Sequence, residues 1–182
     1  MSLELAEPVE WRNIKHQIDR DFGKGTAEKL RKNLLLVKIY HNSKQSYYLI
    51  SPQWKGLVET DLNLYKPEFG GIWLGEMYEK EFRIGLHVLD DISEITQSKV
   101  IVSEVGAESF TYGRSILKES VITIGVGLER EQKVIILSNM GDSLGFAQLT
   151  IDSSRIDLLS DESLVAKNLA DIGWYLRKYT HR

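Results

Sequence analysis

Four short apolar segments crowd into the second half of the chain: KVIVS from residue 99, VITIGVG from 121, KVIILSN from 133 and LGFAQLTI from 144. Each is rich in β-branched residues, and turn-forming residues separate them. Strands at such close spacing point to a small barrel or sandwich. DESLVAKNL, residues 161–169, reads as a late helix capped by Asp161, with Leu164, Val165 and Leu169 on one side.

The first half has a different rhythm. Pro8 suits a first helical turn, where a missing amide hydrogen costs nothing. Trp11, Ile14, Ile18 and Phe22 follow at helical spacing, and Gly23 and Gly25 end the run. Thr26 is placed to cap a second short helix ending near Leu30. LLLVKIY and QSYYLIS, joined by HNSK, read as a β-hairpin. Residues 70–89 read as another, turning at Glu79 and Lys80. A short helix is expected around Leu57 to Leu64, and a helical turn over DDISEIT. Hairpins mixed with helices predict an α+β class with a mainly antiparallel N-terminal sheet. The polar run TQS, 96–98, marks the natural cut, giving domains of 1–97 and 98–182.

Composition narrows the chemistry. The net charge is −3, so any nucleic-acid site must be a local patch on a mildly acidic body. There is no cysteine, which removes disulfides, thiol catalysis and cysteine-ligated zinc and fits a reducing compartment and a hot-living source. MSLELAEPVE does not read as a signal peptide, and no stretch has the ~20 apolar residues of a membrane span. His16, His41, His87 and His181 are dispersed, with no pair at the spacing of a zinc helix; His87 reads as a satisfied buried residue in a strand. Gly125 and Gly127 are a fragment of a dinucleotide pattern without its third glycine or its helix. Asp90 and Asp91 read as helix-capping residues. Nothing sets two carboxylates across a substrate, so no enzyme, metal or cofactor is expected.

ESFTYGRSILKES, residues 108–120, is the remaining signal. Gly106 can end the preceding strand, and Ala107 to Tyr112 can form a short helix with Phe110 turned inward. Gly113 then supplies a positive φ at the helix end. Lacking a Cβ, it also admits a close backbone approach, and Arg114 emerges beside it where a guanidinium reaches a phosphate. A helix C-cap followed by a strand with solvated charges explains the same spacing.

VGAESFTYGRSILKESV resembles the entry segment of PUA domains, named for pseudouridine synthases and archaeosine transglycosylases. KVIILSNMGDSLGFAQL, with Gly145 and Phe146, resembles their later strands. ADIGWYLRK at 170–178, YYLIS at 47–51 and FRIGLHVLD at 82–90 resemble the Nip-seven family of large ribosomal subunit biogenesis factors. That resemblance implies an N-terminal α/β domain followed by a C-terminal PUA pseudo-barrel. It also implies a non-enzymatic factor that binds single-stranded uridine-rich or AU-rich pre-rRNA and associates with assembly factors such as the Shwachman–Bodian–Diamond family. Such a factor is cytoplasmic, or nucleolar in a eukaryote. By position, the implied RNA-facing residues are Tyr112, Gly113, Arg114, Lys118 and Arg155. Members of the family carry several basic residues where this chain reads Arg155-Ile156-Asp157-Leu158, so modest, salt-sensitive affinity is expected. Trp54 and Trp73 are candidates for a partner surface. The alternatives are a subunit of an RNA-modifying enzyme and a protein-only scaffold whose RNA groove has decayed.

Overall fold

The computed structural model describes residues 2–41, 44–59, 71–79, 81–174 and 177. It divides into two compact units, one of residues 1–20 and 24–88, the other of residues 21–23 and 89–182.

The first unit contains β1 (Ser2–Leu5), α1 (Pro8–Phe22) as far as Arg20, α2 (Thr26–Arg31), β2 (Leu35–His41), β3 (Lys44–Ile50), α3 (Lys55–Glu59), β4 (Ile72–Tyr78) and β5 (Glu81–Ile84). Its five strands form one antiparallel sheet in sequential order. β1 was outside the expected elements; it pairs from Ser2↔Tyr40 to Leu5↔Val37. α1 starts at Pro8, and the Glu10 carboxylate accepts the Glu7 amide at 2.6 Å, which is half of a capping box. Ile14 and Ile18 are buried. Thr26 does not cap α2: Gly25 stands at the N-cap with φ 87°, and Asp19 from α1 accepts the Ala27 amide at 2.9 Å. The helix expected around Leu57 to Leu64 meets α3 only at its start, since residues 60–70 lie outside the described residues. Lys80 of the expected second turn and His181 do too. His87 is exposed on a 3-10 turn, tilted against Trp73 at 6.0 Å, because the β5 strand ends at Ile84 before reaching it.

A polar network ties α1 to this sheet. Glu10 accepts Lys38 Nζ at 3.0 Å, Gln45 Nε2 at 2.8 Å and the Tyr47 hydroxyl at 2.9 Å. Lys38 and Tyr47 are direct cross-strand partners in β2 and β3, so one carboxylate meets both. Burial works against the Glu10 charge, but the Glu7 amide, the Lys38 ammonium and the Tyr47 hydroxyl outweigh it and hold the carboxyl below its ordinary value. Burial likewise opposes the Lys38 charge, and Glu10 overcomes it and raises that group.

The second unit contains α4 (Leu89–Ile95), β6 (Lys99–Val102), α5 (Glu104–Thr111), β7 (Ile116–Leu117), β8 (Val121–Ile124), β9 (Lys133–Leu137), β10 (Ser143–Leu149) and β11 (Leu164–Asp171). Its six strands run in the order β7-β11-β10-β9-β6-β8, with β6 and β9 parallel and the other pairs antiparallel. Register shifts in β10, β11 and β6 bend the sheet toward a barrel. Val100, Val102, Phe110, Ile116, Val134, Ile136 and Val165 fill its core.

Residues 161–169 are not a helix; 164 onward is β11, paired with β10 on one side and β7 on the other. A bulge puts Val165 and Ala166 both inside, which erases the alternation that marks a strand. Gly106 does not end β6 either. Ser103 caps α5, accepting the Gly106 amide at 3.2 Å, and Gly106 sits in the first turn, where a Cβ would lie 2.7 Å from that of Ser120. No helix follows Gly125 and Gly127; a turn does.

Candidate nucleic-acid interface

The ESFTYGRS stretch ends α5 in a Schellman turn. The Gly113 amide donates to the Phe110 carbonyl at 2.9 Å, and the Arg114 amide reaches back to Ser109 at 3.1 Å. Gly113 has φ 87°, the left-handed conformation that costs a glycine little. The turn inverts the side chains around it. Phe110 is fully buried, while Tyr112 is 67% exposed and Arg114 projects into solvent. Among the described residues Arg114 forms no ion pair, so its guanidinium is available.

A second layer holds the turn from beneath. The Asn168 side-chain amide donates to the Phe110 carbonyl at 3.0 Å and lies 3.3 Å from that of Arg114. Arg177 donates to the Thr111 carbonyl, and its guanidinium meets both oxygens of Asp171 at 3.0 Å. Asp171 is buried. The paired guanidinium–carboxylate fork fixes Arg177 in direction as well as charge, and the pairing raises the Arg177 pKa. Gly173 lets this latch close: a Cβ there would stand 1.9 Å from the Thr111 oxygen. The last carbonyls of α5 are thus satisfied by β11 and the residues after it, which frees the outer side of the turn. Asn168, Asp171, Gly173 and Arg177 were not among the expected site residues. Their spacing carries no local signal, because the groups that Asn168, Gly173 and Arg177 meet on the turn lie more than fifty residues upstream.

The structure brings Tyr112, Gly113 and Arg114 into one turn. Lys118 is separate: it begins a half-buried 3-10 turn after β7, its amide donating to Ser163 at 2.9 Å. Leu117 pairs with Leu164 at the start of β11, whereas Asn168 holds the 112–114 turn four residues farther along. At the rise of a strand the two places lie about 13 Å apart. Arg155 is exposed on the 3-10 segment Ser153–Leu158, anchored by Ser153 accepting the Leu128 amide at 3.0 Å and by Asp152 accepting that of Arg130 at 2.9 Å. Among the described residues no hydrogen bond or ion pair joins Arg155 to the 112–114 turn. A Gly113→Ala replacement is expected to cost about 1 kcal/mol through the positive φ alone, read as a lowered midpoint in urea unfolding with unchanged slope.

A family model described as the UPF0113 PUA domain matches residues 98–180. A Schizosaccharomyces pombe protein named "60S ribosome subunit biogenesis protein nip7" is 32% identical over 108 residues, 59% of this chain and 60% of that one. The chain therefore spans less than two thirds of that relative. An Archaeoglobus fulgidus UPF0113 protein is 29% identical over 153 residues, 84% of this chain and 83% of that one. The solved structure of a conserved PUA domain protein from Thermoplasma acidophilum superposes with a TM-score of 0.63 at 12% identity, covering 98% of this chain and 99% of the other, which shows a shared fold. The α+β architecture with a PUA pseudo-barrel expected from the sequence stands. Among the described residues no three His, Asp or Glu side chains are grouped to hold a metal ion, and no helix is long and apolar enough to cross a membrane.

Proposed function

We propose that this protein is an RNA-binding accessory factor of large ribosomal subunit biogenesis and pre-rRNA processing. Its UPF0113 PUA domain holds single-stranded uridine-rich or AU-rich RNA. The observation that carries the reading is the braced Schellman turn, which offers an exposed aromatic, a glycine and an available guanidinium in succession. Tyr112 gives a base a stacking face, Gly113 admits the backbone, and Arg114 meets a phosphate. Lys118 and Arg155 extend the path as point contacts. The likeness to ribosome biogenesis proteins supports the cellular setting. The first unit engages other assembly factors, among them the Shwachman–Bodian–Diamond family, for which Trp54, 52% exposed, and the half-buried Trp73 are anchor candidates. The protein acts as a binder rather than an enzyme, in the cytoplasm or, in a eukaryote, the nucleolus.

The test is fluorescence anisotropy of the full chain with a labelled oligouridine between about 50 and 200 mM salt. Arg114→Ala with Lys118→Ala is expected to weaken binding about tenfold at the low-salt end and to reduce the slope of log K against log salt by about 1.4, two phosphates at ~0.7 each. The melting temperature is expected to stay the same, since both side chains face solvent at least in part. Unchanged affinity would place the RNA elsewhere or remove it from the account.

A further inference from the structure

We infer a second RNA contact, on the outer face of α1, that binds the phosphate backbone without regard to sequence. Arg12, Lys15, His16, Asp19, Arg20 and Lys24 line one open groove in the first unit. The five helical positions recur at three- and four-residue spacing, so they share one face, and Lys24 continues it just past the helix. Arg12, His16, Arg20 and Lys24 are all exposed. This is a cationic strip on a chain whose net charge is −3.

Two of the three acids of α1 lie off the strip, and the third, Asp19, lies within it. Glu10 is turned onto Lys38, Gln45 and Tyr47. Asp19 accepts the Ala27 amide. Asp21 is buried. A second anion beside the strip is Glu28 of α2, which meets Lys15 at 2.6 Å; against Asp19 and Glu28 the groove still carries Arg12, Lys15, Arg20 and Lys24. Among the described residues Arg12, His16 and Lys24 form no ion pair.

The chemistry of the face selects its occupant. Protein interfaces are built on aromatic and apolar anchors and are poor in lysine. Among the described residues no Phe, Tyr, Trp, Leu or Met lines this groove. A membrane-surface helix needs an apolar face to insert, and the apolar stripe of α1 is consumed by the core, with Ile14, Ile18 and Phe22 at 1% exposure or less and Val9 the lone exposed large apolar side chain on the helix. Long cations without stacking partners fit a phosphate backbone, and such contacts position a strand without reading its bases. This contact uses none of the residues of the 112–114 turn, so it goes beyond the function proposed above and stands or falls separately.

The full chain, wild type and variants, is titrated with oligouridine and with oligocytidine by anisotropy, and with vesicles containing phosphatidylserine by flotation. Arg12→Glu with Lys24→Glu is expected to weaken both RNAs by at least about tenfold and to the same extent. The milder Arg12→Ala with Lys24→Ala should lower the salt slope by about 1.4. Lys44→Glu with Lys55→Glu, which makes the same change in net charge at two other exposed lysines, is expected to cost less than about threefold. Circular dichroism melting checks the fold of each variant. The inference is overturned if the α1 pair loses no more than the Lys44 and Lys55 pair, or if vesicle binding falls while RNA binding holds. Loss with the α1 pair but not with Arg114→Ala and Lys118→Ala sustains this contact and defeats the reading of the turn; the reverse defeats this contact alone.

Discussion

Gly173→Val is expected to destabilise the second unit by about 3 kcal/mol and to weaken oligouridine binding through a residue that lies beneath the RNA turn. The valine Cβ would begin 1.9 Å from the Thr111 carbonyl oxygen and 2.9 Å from Arg177 Nη1. Backbone cannot yield cheaply there, so the residues after β11 must leave α5. The Thr111 carbonyl then loses Arg177, the Asp171 carboxylate loses both of its guanidinium bonds, and the C-terminal end of α5 is left to fray. For a unit of this size the loss corresponds to a melting temperature lower by about 12 °C or more. Asp171→Asn provides the graded companion: it keeps the shape but removes the charge that orients Arg177, so a smaller fall in both stability and affinity is expected. If Gly173→Val melts as the wild type does, the latch does not brace the turn.

Glu10→Ala is the second large effect, and it falls on the first unit. It strands Lys38, whose side chain is 8% exposed, without its counter-ion and removes the acceptor from Tyr47 and Gln45. A buried cation left alone costs on the order of 3 kcal/mol. The double variant Glu10→Leu with Lys38→Met should recover much of that loss, because two apolar groups need no partners. The same network predicts acid sensitivity. The folded Glu10 carboxyl lies below its ordinary value of 4.5, so its contribution is complete above that value and is lost as pH falls through the lowered folded value. At the other end, the raised Lys38 group contributes fully below its ordinary 10.5 and loses its contribution as pH rises past its folded value. Urea unfolding across that range should show a plateau for the wild type that falls at the acid edge, and Glu10→Ala should flatten that edge. An acid edge of unchanged steepness in the variant would assign the sensitivity to other carboxylates.

How much of this was legible beforehand depended on whether the cause was local. Pro8, the Ile14–Ile18 spacing and the paired glycines marked α1 because capping and periodicity act within a few residues. Gly113 marked the turn for the same reason: a left-handed helix end favours glycine at that one position. Residues 161–169 misled because β11 takes its place from β10 and β7, and a bulge hides its period. Thr26 looked like a cap, but Asp19 satisfies α2 from another helix. The latch on the turn was invisible, since Asn168 and Arg177 act on carbonyl groups of residues 110–114 across the fold, with Asp171 orienting Arg177. The cationic face of α1 was written in the spacing of Arg12, His16 and Arg20, but reading it requires knowing that Glu10 turns onto Lys38 and that Asp21 is buried.

The most direct test of the central claim is an amide NMR titration of the full chain with unlabelled oligouridine. The account predicts that the resonances of Tyr112, Gly113 and Arg114 shift progressively and saturate together with the binding curve, and that these shifts shrink as salt is raised. Saturable binding that leaves those three amides in place, with the shifts confined to other parts of the chain, would contradict it.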